Sequence, residues 1–272
     1  MEQHEHKDVS KEIKAAEEYK QKLGEAIKVD PIKRKLRNFL NLLTKDNYEE
    51  VKKDILEIIK DNVEFQIKFL DVLFHTVYLE SIFVKLYAKL CKELDKELPQ
   101  ISQNRKIRRP TSVMREKLLD KCKEAFTIQH NEEFDEFIMI KDPEERKIKL
   151  KYFLLGIVKF IAELIDINLL SKKTGPSFIK NLFEKYEQQN NDKKLKLIYI
   201  EAIILFTEKF GTLIHYQEKR VVLKDAMEYK GKIDEILKKL DIIKDEKGLP
   251  GHIKYLIINL IEKKKIITKN LK

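Results

Sequence analysis

Apolar residues return along most of this chain at steps of three and four, the spacing of one face of an α-helix. The densest case is Leu154 to Ser171, LLGIVKFIAELIDINLLS, which is apolar almost all the way round when wound as a helix. Its charges, Lys159, Glu163 and Asp166, fall at i, i+4 and i+7 and make one narrow polar stripe. A helix of that kind needs neighbours on most of its circumference, and Gly156 and Ala162 are small enough to let one approach closely. The stretch predicts a stack of helices with itself near the middle.

The same periodicity divides the rest of the chain. Val9, Ile13, Ala16, Tyr19, Leu23 and Ile27 predict an amino-terminal amphipathic helical extension over residues 1–30 that docks on the body. Asp30-Pro31 then restarts the chain, Asp as N-cap and Pro at the first helical position. Leu36, Phe39, Leu40 and Leu43 form the buried stripe of the helix that follows. Thr44 to Asn47 breaks it, and Asp46 with Glu49 three residues on predicts a capping box for the next helix, through Val51, Ile55, Ile58 and Ile59. A third helix carries Phe65, Phe69, Val72, Leu73 and Val77, and a fourth Phe83, Leu86, Tyr87, Leu90, Cys91 and Leu94. The pattern stops between Pro99 and Pro110, resumes near Ser112, and restarts at Asp142-Pro143 into the central stretch. Gly175-Pro176 is read as a break, Asp192 as another start, and two last helices lie near Val221–Leu240 and Pro250–Ile266, with a turn at 247–251 between them. Discounting the extension, about ten helices in about five antiparallel pairs make residues 31–272 a single all-α, HEAT-like solenoid.

Composition supports a helical chain: seven glycines and six prolines in 272 residues leave little material for the turns of an all-β fold. Charged residues make up 38%, with 56 Lys and Arg against 46 Asp and Glu, a +10 balance. That excess suits an anionic partner such as RNA, and equally a solvated lysine-rich surface. Arg105, Lys106, Arg108 and Arg109, without an acidic residue among them, form the clearest basic loop. Cys91 and Cys122 lie next to leucines inside helical patterns and read as core residues of a reducing compartment. The opening MEQHEHKDVS lacks the apolar core of a signal peptide, and no uncharged run is long enough to span a bilayer, so a soluble, cytoplasmic protein is expected.

Motifs for chemistry are missing from the sequence. No Gly-rich phosphate loop, His-Glu-x-x-His, Cys-x-x-Cys or Gly-x-Ser-x-Gly occurs, so no enzyme, cofactor or metal site is expected. His4 and His6 are read as solvated, and His75, among apolar residues, as a hydrogen-bonded core or groove histidine. Tyr255 to Ile261, YLIINLI, formally fits the Tyr-x-x-x-x-Leu-apolar pattern by which some peptides bind the cap-binding translation factor; its apolar intervening residues assign it to a core helix.

Four segments in order, Arg34–Val51 (RKLRNFLNLLTKDNYEEV), Leu86–Leu94 (LYAKLCKEL), Leu118–Phe126 (LLDKCKEAF) and Gly156–Ser171 (GIVKFIAELIDINLLS), resemble the middle domain of eukaryotic translation initiation factor 4 gamma. The resemblance runs from about Pro31 to Ile266. Lys45 stands where that family usually has proline, Tyr48 where it has phenylalanine and Ala162 where it has glycine.

This resemblance implies a non-enzymatic translation-initiation scaffold that binds and stimulates the DEAD-box RNA helicase initiation factor 4A, contacts RNA and has other initiation factors as further partners. Leu40, Leu43 and Tyr48 match family positions for helicase binding; Leu40 and Leu43 also belong to a buried stripe, and Tyr48 is the one expected at the surface. Lys33, Arg34, Lys35, Arg37, the Arg105–Arg109 loop and Lys263, Lys264 and Lys265 are the RNA-binding candidates. The alternative is an RNA-binding adaptor of the same fold acting in splicing, nuclear cap binding or nonsense-mediated decay. Family segments for the cap-binding and poly(A)-binding proteins lie outside the middle domain, and none is found, which implies a fragment or a reduced protein.

Overall fold

The computed structural model describes residues 30–101, 111–125, 142–189, 192–218 and 223–269. Over these residues the chain is all-α: α1 (Pro31–Leu42), α2 (Tyr48–Ile59), α3 (Val63–Leu79), α4 (Val84–Glu97), α5 (Val113–Glu124), α6 (Pro143–Asp166), α7 (Thr174–Gln188), α8 (Lys193–Glu218), α9 (Leu223–Ile243) and α10 (Gly251–Lys269). A 3-10 turn at Ser81–Phe83 precedes α4, and two-residue strands β1 (Gln100–Ile101) and β2 (Thr111–Ser112) pair antiparallel between α4 and α5. The amino-terminal extension lies outside the described residues.

The helices fall into two rows, as a solenoid of five helix pairs requires. In one row α1 packs on α3 and α3 on α5; in the other, α2, α4, α6, α8 and α10 follow one another. The central helix α6 touches α3, α4 and α8, which accounts for its apolar circumference. Gly156 sits against the α3 backbone, where an added Cβ would come within 3.0 Å of the Val77 carbonyl oxygen and 3.3 Å of the Tyr78 Cα. Phe74 and Phe160 meet edge to face beside this crossing, with centroids 5.7 Å apart. Two members of the polar stripe find partners and the third faces solvent: Lys159 reaches the Ser81 hydroxyl, buried Glu163 pairs with Lys209 at 3.5 Å, and Asp166 is exposed.

Local cap chemistry sets five of the ten described starts. Asp30 accepts hydrogen bonds from the Ile32 and Lys33 amides, Asp142 from that of Glu144 and Asp192 from that of Leu195. Asn62 and Ser112 do the same for α3 and α5.

Several boundaries differ from the sequence expectation. Helix α2 begins at Tyr48 without the capping box. Asn47 accepts from the Thr44 amide at 2.7 Å and donates to the Leu42 carbonyl at 2.7 Å, closing the turn instead, while Glu49 pairs with Lys52. Helix α6 ends at Asp166, short of Ser171. There Asn168 takes a left-handed φ of 61°, which asparagine tolerates, and the Leu169 and Leu170 amides donate back to the Leu164 carbonyl. Gly175 and Pro176 lie inside the first turn of α7, where the amide that proline lacks would have no helical partner, and the Phe210 ring occupies the space of a Gly175 side chain. Phe83, read as core, precedes α4 and is 43% exposed.

Gly156→Val should lower unfolding stability by about 1–3 kcal/mol, because α3 and α6 must separate to admit the side chain. Denaturant titration measures this, and an unchanged midpoint would show that the crossing is not tight.

Candidate functional site

Helices α1 and α3 run side by side in the same direction. Asp30 pairs with Lys68 at 2.8 Å and Lys33 with Asp71 at 2.8 Å, one turn further along both helices. Their carboxy-terminal ends therefore emerge together, and the turns at 43–47 and 80–83 share one edge of the stack. On this edge Leu42 is 62% and Ile82 81% exposed, with Phe83 beside Ile82 in the chain. Exposed apolar residues gathered on adjoining turns are a feature of interaction sites.

The residues carried over from the family resemblance lie beneath that edge. Leu40, Leu43 and Tyr48 are all buried, none more than 4% exposed. The expectation that Tyr48 is at the surface is corrected: its ring is covered by Lys89 of α4, whose Nζ sits 3.9 Å from the ring centroid. Burial, with the Glu93 carboxylate nearby, pushes the Tyr48 phenol well above its ordinary pKa. Tyr48 thereby holds the start of α2 on α4, while Leu40 and Leu43 belong to the buried core beneath the α1–α2 turn. Leu42 falls between the buried positions Leu40 and Leu43, so its outward direction follows from helix geometry. The exposure of Ile82 and Phe83 depends on the 3-10 turn, which periodicity does not announce.

Asp71 joins three helices behind the edge. Its carboxylate lies 2.8 Å from Lys33 of α1 and 2.5 Å from Lys121 of α5, and its side chain is 12% exposed. Burial alone would raise its pKa, but the hydrogen bonds from Lys121 and Lys33 outweigh that and hold the carboxyl below its usual value.

The basic candidates do not form one patch. Lys33 is committed to Asp71, whereas Arg34, Lys35 and Arg37 are exposed on α1, Lys35 lying 5.8 Å from the Phe39 ring centroid. Lys263 pairs with Glu208 at 2.6 Å and Lys264 with Asp234 on the last helix, at the other end of the stack. The Lys265 side chain and the run Arg105, Lys106, Arg108 and Arg109 lie outside the described residues. The points where residues 102–110 leave the body are held, however. Buried Asp95 of α4 accepts from the Ser112 hydroxyl at 2.6 Å and from its amide at 3.3 Å, and Gln100 pairs with Ser112 across the strand ladder.

Other candidates settle into the core. Cys91 and Cys122 are free and buried, and burial raises both thiol pKa values. His75 is half-buried with its ring edge-on to Tyr78 at 5.9 Å. Within YLIINLI only Ile257 and Leu260 are buried; Tyr255 is 67% exposed, so the core assignment holds for one face of α10 alone. Among the described residues there is no group of three or more His, Cys, Asp or Glu suited to a metal ion, and no helix long and apolar enough to cross a membrane.

The profile of the MIF4G domain family matches residues 33–265. A eukaryotic translation initiation factor 4G of Arabidopsis thaliana is 23% identical over 242 residues, which are 85% of this chain and 13% of that protein. Eukaryotic translation initiation factor 4 gamma 2 of Homo sapiens is 23% identical over 245 residues, 86% of this chain and 25% of that protein. The chain thus spans a quarter or less of the length of these relatives. The crystal structure of the MIF4G domain of Trypanosoma cruzi translation initiation factor EIF4G5 aligns with a TM-score of 0.47 and 16% identity, over 88% of this chain and 96% of that one.

Asp71→Asn should cost about 2–3 kcal/mol at neutral pH, since it leaves Lys33 and Lys121 without their shared carboxylate. A carboxyl whose folded pKa is lowered contributes stability that is complete above its unfolded pKa and is lost as pH falls through the folded value. The difference between wild type and variant is then constant above about pH 5 and shrinks below about pH 4. Denaturation at a series of pH values checks it, and a difference that persists unchanged at low pH would contradict the assignment.

Proposed function

The chain belongs to the MIF4G domain family, and on that premise we propose that it is a translation-initiation scaffold which binds the DEAD-box RNA helicase initiation factor 4A and raises its ATP turnover. The observation that carries this reading is the family match over residues 33–265, and the edge bearing Leu42, Ile82 and Phe83 supplies a surface suited to a protein partner. Leu40, Leu43 and Tyr48 shape that edge from below rather than touching the helicase.

The mechanism is a population shift. A two-lobed helicase samples splayed and closed arrangements, and a rigid stack that contacts both lobes favours whichever arrangement fits both contacts at once. A tenfold rise in the closed population needs about 1.4 kcal/mol of preferential contact. The scaffold supplies no catalytic group of its own. Arg34, Lys35 and Arg37, with the Arg105–Arg109 run, hold RNA phosphates near the helicase, in the cytoplasm where translation initiates. The pathway alternative, an adaptor of the same fold in splicing, nuclear cap binding or nonsense-mediated decay, differs in the helicase recruited, and pull-down of that helicase separates the two.

Addition of the chain should raise the RNA-dependent ATPase of the helicase. Leu42→Asp and Ile82→Asp should each weaken binding about tenfold or more with little change in stability, while Leu40→Ala should cost about 2–5 kcal/mol of stability. No binding and no stimulation by the wild-type chain would end this reading. Single-stranded RNA affinity should fall steeply with salt, and replacing Arg34, Lys35 and Arg37 by alanine should flatten the log–log slope by about 0.7 for each phosphate no longer neutralised. An unchanged slope would remove these three residues from the RNA interface.

A further inference from the structure

The two ends of the stack are finished differently. At one end of the described stack, α1 and α2 present Arg34, Arg37, Asn38, Asn41, Glu49, Glu50, Lys53 and Asp54 to solvent. At the last end the orientation of α10 is fixed from both sides. Lys263 pairs with Glu208 of α8, Lys264 with Asp234 and Lys254 with Asp245 next to α9, and Ile253, Ile257 and Leu260 are buried between these helices. The outward side therefore carries Tyr255 and Ile258, 67% and 37% exposed, with Lys254 and Glu262 beside them. Because Asp245 meets Lys254 and Asp234 meets Lys264, α9 runs antiparallel to α10, and Ile242, 73% exposed, lies level with Ile257 at the same end.

We propose that this face binds a second copy of the chain, α10 against α10 in an antiparallel, two-fold pair centred on Ile258. The charges select this occupant. An antiparallel pair centred there places Lys254 opposite Glu262 of the second copy and Glu262 opposite the second copy's Lys254, so both apolar and charged positions are self-complementary. Lys254 is open to such a partner, since its contact with Asp245 is 3.8 Å long and its side chain 49% exposed. Head-to-tail growth is disfavoured, because among the described residues α1 and α2 at the opposite end present mainly charged and polar side chains, with Leu42 exposed only where α1 ends. One helix face with a flanking isoleucine is a small contact beside the roughly 800 Å² per partner of a standard-size interface, so the dimer is a weak, reversible one.

Sedimentation equilibrium or light scattering of the full chain over a concentration series tests this directly. The wild type should pass from 32.5 kDa towards twice that mass with rising concentration. Tyr255→Glu should remain monomeric throughout with unchanged helical circular dichroism and melting temperature. Lys254→Glu and Glu262→Lys should each be monomeric, whereas the double variant, with the charges exchanged, should dimerise again. A wild type that stays monomeric at several hundred micromolar overturns the proposal, as does a Tyr255→Glu variant that still dimerises. A monomeric wild type whose helicase affinity drops on Tyr255→Glu also overturns it and assigns the face to that partner instead.

Discussion

The fold depends on one close approach, that of Gly156 on α6 to the backbone of α3 at Val77 and Tyr78. A side chain there would hold the helices apart, and the rings of Phe74 and Phe160, together with the fully buried Leu154, Ile157 and Ile161, could no longer pack at the distances that make their burial favourable. Because α6 also touches α4 and α8, this crossing joins the first two pairs of helices to the last two.

Polar contacts refine what the core establishes. Lysines and acids pair in matching order between neighbouring helices: Asp30 and Lys33 with Lys68 and Asp71, and Lys52 with Glu93 and Glu97. Exposed pairs of this sort contribute little individually. Asp71 and Asp95 are different, for each is nearly enclosed and holds groups from another helix, so their carboxylates specify which neighbours belong together. The high charge content of the sequence is thereby divided between solvated faces and a few internal ties.

The all-α stack, the order of its helices and the central position of the apolar stretch were legible in the sequence because they rest on periodicity and on local caps such as Asp30-Pro31 and Asp142-Pro143. Features that depend on a distant residue were not. Nothing near Tyr48 in the sequence says that Lys89 covers it, and nothing near Asn47 says that its side chain turns back to the Leu42 carbonyl instead of opening α2. Leu40 and Leu43 show the same limit: periodicity places both in a buried stripe, but only the parallel pairing of α1 with α3 brings the exposed Leu42 between them to the same edge as Ile82. Tyr255 lies in a run that reads as a core helix yet is exposed, because a periodic pattern identifies a helix without saying how many of its sides are covered.

The anchoring of Ser112 to Asp95, with the short ladder from Gln100 to Ser112, has a consequence for protein engineering. Both ends of the segment 102–110 are fixed to the body at paired positions about 5 Å apart. The entropy of closing a flexible connection rises only slowly with its length, by about 0.6 kcal/mol for each doubling. An epitope or a small fluorescent reporter spliced between β1 and β2 would therefore leave the helical stack intact, offering a labelling position on the body away from both its ends.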